Sequence, residues 1–195
     1  NKTKKSEVYI ITNTFRRGEE IIRQSFFLED YESQAAMLLD WCEFVKAMNP
    51  SIILGHNIFT YDFPYLAHVA ELNGITLSLG RDGSNIRFND KPSSFRKDGS
   101  QSYEYHKAFI YGREIVDSMF LSIKYDIARN FPSYGLKPIV KFLGMEKEGR
   151  SFVDASKIRE YYNNRTADPE MWQKVKAYAE EDSDDCLLYT SPSPR

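Results

Sequence analysis

Only two cysteines, Cys42 and Cys186, occur in the 195 residues. They are too few for a disulfide framework and lack the paired spacing of a zinc site. No stretch of 18 apolar residues is present, so no membrane-spanning helix and no membrane partner are expected. The opening NKTKKSE is polar and lacks the apolar core of a leader, so a cytoplasmic, non-secreted chain is expected. Charge of one sign is also missing: 26 Lys and Arg against 28 Asp and Glu leave a formal net charge of −2. That excludes a uniformly basic nucleic-acid coat and leaves binding by a local patch open. No internal repeat is visible. What is present is 42% hydrophobic and 28% charged residues, enough to bury the core of about one domain. Aromatics are generous, with 13 Tyr and 13 Phe.

The apolar patterning predicts a mixed α/β sheet layered by helices. Residues 8–15 (VYIITNTF) and 21–28 (IIRQSFFL) are predicted strands joined by a turn at Arg16-Arg17-Gly18-Glu19. Residues 33–48 follow as a helix with Leu38, Trp41, Cys42, Val45 and Met48 at helical steps. The short run 51–55 (SIILG) has the pattern of a strand covered on both faces. Residues 62–73 form a second predicted helix with Leu66, Val69 and Leu72 as its stripe. Residues 81–106 are polar, a loop or small hairpin. Extended segments at 108–111 and 114–116 then lead to Asp117. Helices are expected over 119–129, 135–143, 154–162 and 169–185, the last capped by Asp168 with Pro169 at its first position.

Two carboxylates interrupt the apolar stripes of their own helices. Met171, Val175, Tyr178 and Asp182 share one face of the terminal helix. An acid at the fourth place must be hydrogen-bonded, paired or on a metal if it is buried. By periodicity alone Asp182 fits better as part of a solvated run with Glu180, Glu181, Ser183, Asp184 and Asp185. Asp62 opens its helix just after a buried-type strand, where ligands gather in α/β sheets, although an acid there is also an ordinary helix cap. Two carboxylates facing one cleft suit divalent-metal phosphoryl chemistry, because hard cations take oxygen ligands. Spacing alone does not show that Asp62 and Asp182 converge.

Residues 50–66, PSIILGHNIFTYDFPYL, resemble the second exonuclease motif of family B DNA polymerases, with Asn57, Tyr61 and Asp62 in its Asn, aromatic and Asp positions. Tyr178 and Asp182, in AYAEEDSD, fit the third motif, Tyr-x-x-x-Asp. Between them, 111–117 (YGREIVD) and 133–144 (SYGLKPIVKFLG) resemble the connecting segments of the same domain. The resemblance implies an RNase H-like fold and 3′→5′ proofreading of DNA with two Mg²⁺ (or Mn²⁺) ions. Asp62 and Asp182 would be metal-binding carboxylates, and Tyr178 would orient the attacking water. Asn57 and Tyr61 would shape the pocket around the 3′-terminal nucleotide of a single-stranded primer end. Asp117 is expected to be structural. The implied partners are DNA and the polymerase domains of the same chain.

The family's first motif, Asp-x-Glu on the central strand, is not found; the first predicted strand reads IITNT. That central strand is expected to lie upstream, so residues 1–185 alone are expected neither to fold well nor to cleave DNA. Two alternatives are a decayed module that only binds single-stranded DNA and a stand-alone exonuclease. The last ten residues, CLLYTSPSPR, resemble the in-frame translation of a transposase adapter from sequencing libraries, with a Ser/Pro linker as the other reading. No role is expected for 186–195. In the 81–106 insert, Arg81, Arg87, Lys91, Arg96 and Lys97 are near-balanced by acids. A solvated loop is expected there, with strand contacts through Arg96, Lys97, Tyr103 and Tyr105 as the rival. Lys137 and Lys141, on one helix face, are expected to be solvated.

Overall fold

The computed structural model describes residues 6–96, 102–146, 149 and 152–190. Alternating residues in 10–27 build an antiparallel hairpin, β1 (Ile10–Arg17) with β2 (Glu20–Phe27), in register from Ile10↔Phe27 to Arg17↔Glu20. Gly18, at φ 60°, supplies the left-handed turn residue. The two faces of β1 diverge, as a period of two requires. Asn13 accepts the Trp41 indole N–H at 3.1 Å on one side. On the other, the Thr12 hydroxyl donates to the Ala179 carbonyl at 3.0 Å.

Helix α1 (Gln34–Met48) covers the first side, capped by Ser33, whose side chain accepts the Ala36 N–H. It buries Met37, Leu38, Trp41, Cys42 and Val45, and ends where Asn49 turns left-handed at φ 48°. The chain then forms β3 (Ile52–Gly55) and α2 (Phe63–Leu72). Short strands β4 (Arg87–Phe88), β5 (Ser93–Arg96), β6 (Ser102–Tyr105) and β7 (Ala108–Phe109) lead to β8 (Glu114–Asp117). Strands β3 and β8 pair in parallel, with Gly55 opposite Asp117. Helices α3 (Ser118–Tyr125), α4 (Leu136–Phe142), α5 (Ile158–Asn163) and α6 (Pro169–Thr190) complete the fold. α6 lies on the second face of β1.

The main core joins α1, α2, β8 and α3, from Met37 and Phe63 to Phe120 and Ile123. A smaller cluster around Tyr9, Trp172 and Val175 seats α6. Each sheet among the described residues is two-stranded. The expected mixed sheet flanked by helices is therefore present in two halves, β1–β2 and β3–β8, with no ladder between them among those residues.

Four expectations are corrected by packing. Strand β3 is not covered on both faces: Ile52 is 61% exposed, because it borders the gap between the two halves. Leu72 is also 61% exposed, and Phe63 and Ala70 complete the buried stripe of α2 instead. Helix α3 stops at Tyr125 and does not run on to Arg129. There the Asp126 carboxylate accepts the N–H of Asn130 at 2.6 Å and of Phe131 at 2.9 Å, a local bonding that competes with helix. The acidic run at the end of α6 is not simply solvated, since Asp185 is only 2% exposed. Its neighbour Asp184 accepts from Arg23 at 2.8 Å and Thr14 at 3.0 Å.

The insert is docked by its aromatics. Phe95 stacks on Phe120 at 4.5 Å and 6° between planes, and Tyr105 lies 4.8 Å from the same ring. Tyr103 and Tyr105 thus face the core, and Lys97 lies outside the described residues. No helix among the described residues is long and apolar enough to cross a membrane.

Candidate active site

The carboxyl ends of the parallel strands β3 and β8 lie side by side, the place where α/β sheets present ligands. Beyond Gly55 the chain passes through His56 and Asn57 into a single π-helical turn, Ile58–Asp62, a feature frequent at functional sites. Asn57 is left-handed at φ 66°, and its side-chain oxygen accepts the Thr60 hydroxyl. Asp117 holds the turn from β8, as its structural role required: its carboxylate accepts the N–H of Asn57 at 3.0 Å and of Phe59 at 3.3 Å. The same carboxylate caps α3 through Met119 N–H at 3.0 Å.

The turn delivers Asp62 to the start of α2. Its side chain makes no capping bond there, so the ordinary capping role is not what this acid performs. It lines a cleft of about 1160 Å³ bounded by β1 (11–17) and by 51–55. Asp182, Ser183 and Cys186 line the same cleft from α6. The two acids singled out by sequence therefore face one space. Asp62 keeps access to water at the mouth, yet the surrounding protein strips solvation from its carboxyl. That burial, reinforced by the negative charge of Asp117, pushes its pKa up to about 6. Burial raises the Cys186 thiol to about 11, and the charges of Asp117, Asp62 and Asp182 act in the same direction.

Tyr178 lies one turn before Asp182, and the Lys137 ammonium of α4 is 3.4 Å from the centroid of its ring. The same ammonium is 3.8 Å from Asp182 Oδ2. The expectation of a merely solvated Lys137 is corrected by this contact, which sequence spacing could not reveal because α4 and α6 meet only in the fold. Asn57 lines a separate cavity of about 560 Å³ with His56, Arg129, Phe131 and Tyr134. His56 borders both spaces. Its ring bridges Ser118 Oγ at 2.9 Å and the Tyr134 carbonyl at 2.8 Å, and burial lowers its pKa. Tyr61 points elsewhere: it is 61% exposed and stacks on Tyr65 at 5.7 Å and 3°.

Among the described residues no group of three or more His, Cys, Asp or Glu forms a metal cluster. Asp62 and Asp182, which line the same cleft, offer hard carboxylate oxygens. In kind they fit a divalent cation such as Mg²⁺.

The sequence profile described as the DNA polymerase family B exonuclease domain matches residues 2–139. The chain belongs to this family. A DNA polymerase of Archaeoglobus fulgidus is 30% identical over 151 residues, 75% of this chain and 16% of that protein. The DNA polymerase delta catalytic subunit of Oryza sativa is 32% identical over 122 residues, 60% of this chain and 11% of that protein. The family B DNA polymerase structure from Pyrobaculum calidifontis superposes with a TM-score of 0.60 at 20% identity, over 92% of this chain and 23% of the other. That likeness carries the RNase H-like exonuclease fold. The exonuclease-domain chain thus spans only a small part of its relatives' length. Neither β1 (IITNTFRR) nor β2 (EIIRQSFF) contains an Asp-x-Glu.

Proposed function

We propose that this chain is the proofreading unit of a longer family B DNA polymerase, hydrolysing the 3′-terminal phosphodiester of a single-stranded primer end. The observation that carries the proposal is that Asp62 and Asp182 line one cleft between the two half-sheets. Water attacks phosphorus, the bond to the penultimate 3′ oxygen breaks, and that oxygen leaves with a proton as a nucleoside monophosphate is released. Asp62 and Asp182 would hold Mg²⁺ or Mn²⁺, with two ions in the complete domain. A bound divalent cation supplies a water of lowered pKa and offsets charge on the phosphate. Tyr178 orients the attacking water, while Asn57, which lines the adjacent cavity, and the exposed Tyr61 meet the terminal nucleotide from outside the cleft. Most of the protein's contribution is positioning.

The cleft also suggests how the domain is completed. β1 and β3 flank it with edges that no strand pairs among the described residues. In this reading an extended segment carrying Asp-x-Glu, supplied by the longer polymerase, pairs with these edges and adds the remaining carboxylates. Cys186 and Leu187 line the cleft and take no catalytic role in this reading.

The test is a 5′-labelled single-stranded oligonucleotide incubated with Mg²⁺ and the polymerase carrying this domain. Stepwise shortening from the 3′ end is expected, with loss of at least about a hundredfold in rate for Asp62→Ala and Asp182→Ala. Undiminished shortening by both variants refutes the assignment.

A further inference from the structure

We propose that Arg81, Arg113 and Ser51 form an oxyanion site at the amino ends of β3 and β8, and that its ligand is a phosphate group. The site does not depend on the role of the acids in the cleft.

Two arginines share one acceptor. Arg81 Nε donates to Asn49 Oδ1 at 2.9 Å, and Arg113 Nη1 donates to the same oxygen at 3.1 Å. The other acceptors are equally neutral. The Leu79 carbonyl takes Arg113 Nε at 2.9 Å, the Pro50 carbonyl takes Arg113 Nη1 at 2.6 Å, and Ser51 Oγ takes Arg81 Nη2 at 2.9 Å. No carboxylate pairs with either guanidinium among the described residues. Arg113 is only 8% exposed, and burial together with the charge of Arg81 lowers its pKa. A buried cation beside a like charge lacks the anion that such groups ordinarily have.

Donors are left over for that anion. Arg81 Nη1 and Arg113 Nη2 carry N–H groups that none of these bonds uses. Ser51 accepts from Arg81 and so keeps its own hydroxyl proton to donate. Two guanidinium forks and a hydroxyl suit a tetrahedral oxyanion better than a planar carboxylate, which offers only two oxygens. The set is held in place. The Arg81 backbone N–H donates to the Tyr111 carbonyl at 3.0 Å, and a Cβ on Gly112 would stand 2.8 Å from Arg81 Cδ, so the glycine lets the arginine stem lie against its loop. Asn49 is fixed as the left-handed cap of α1.

Ser51 and Arg113 each precede a strand of the parallel pair, whereas Asp62 lies beyond the carboxyl end of β3. Four residues of strand rise about 13 Å, so a phosphate bound here is not the one hydrolysed at Asp62. It is free phosphate or a different phosphodiester of a bound DNA strand, and the two sources share one chemistry.

The experiment is titration of the 195-residue chain with inorganic phosphate at constant ionic strength, read from the Nε–H resonances of ¹⁵N-labelled arginine. Saturable shifts of the Arg81 and Arg113 signals are expected. Arg81→Gln should weaken phosphate binding about tenfold or more, the loss of one charge-assisted contact. Asn49→Asp puts a carboxylate at the acceptor that both guanidinium groups share, and should abolish the phosphate response. A thymidine oligonucleotide without terminal phosphates is the second arm. Shifts of the same signals with the oligonucleotide support the site and assign it to a DNA backbone, whereas shifts with inorganic phosphate alone support it and assign it to the free ion. No saturable shift with either ligand, or an undiminished response in either variant, overturns the site.

Discussion

The carboxylate of Asp117 accepts the backbone N–H of Asn57 at 3.0 Å, tying the end of β8 to the turn that follows β3. With Phe59 and Met119 as further donors, one buried acid organises three backbone amides. The Asp62 carboxylate reaches the cleft because this turn is held. Asp117→Asn keeps the shape and loses the charge, and should lower unfolding free energy by about 2 kcal/mol. Urea denaturation measures this. A variant as stable as the parent would mean that the amides are satisfied in some other way.

The raised pKa of Asp62 gives stability a pH dependence of definite sign. The folded chain holds this proton up to about 6, against 3.8 for an ordinary Asp. In the absence of metal the contribution is full below about pH 4 and is lost as pH rises towards 6. Urea midpoints recorded across that window should show a downward component that Asp62→Asn removes. Added Mg²⁺ requires the ionised form, so its stabilisation should appear only as pH rises through the same range.

Gly55 has no room for a side chain. A Cβ there would stand 2.6 Å from Ile58 Cδ1, so Gly55→Ala should cost about 1–3 kcal/mol by overpacking. Combining it with Ile58→Ala should recover part of the loss, since the two positions share one contact. Additive losses in a double-mutant cycle would place the strain elsewhere.

Phe120 holds the insert to the body. Phe120→Ala should cost about 3 kcal/mol and expose the amides of β5 and β6 to faster hydrogen exchange. Tyr105→Ala should act in the same direction through the same ring stack, with the loss appearing in stability. If exchange in the hairpin is unaffected, its docking does not depend on these rings.

Much of this arrangement was legible in residue order. Strand β1 begins two residues later than its apolar run and continues through Arg17, because pairing with β2 extends the ladder to a tight turn at Gly18. Asp62 and Asp182 were visible as acids on otherwise apolar faces, and Asp117 as a residue closing a strand. What composition and spacing do not encode is contact between distant segments. The π-helical turn depends on Asp117 bonding back across from β8. The solvent exposure of Ile52 depends on the gap beside it. Lys137 and the buried Asp185 looked like ordinary surface charge, since only the packing of α4 and α6 decides which side of each helix is covered.

The gap between β1 and β3 has a consequence for cooperativity. The hairpin and the parallel pair share no hydrogen-bond ladder among the described residues; α6 packs on β1 and β3, and one apolar core includes residues of both halves. Without a continuous ladder the backbone hydrogen bonds of the two halves can open separately, coupled only through side-chain packing. A segment inserted between them would hydrogen-bond to both and couple two local equilibria into one. The site whose acids line the gap would then become ordered in the same event that makes the sheet continuous.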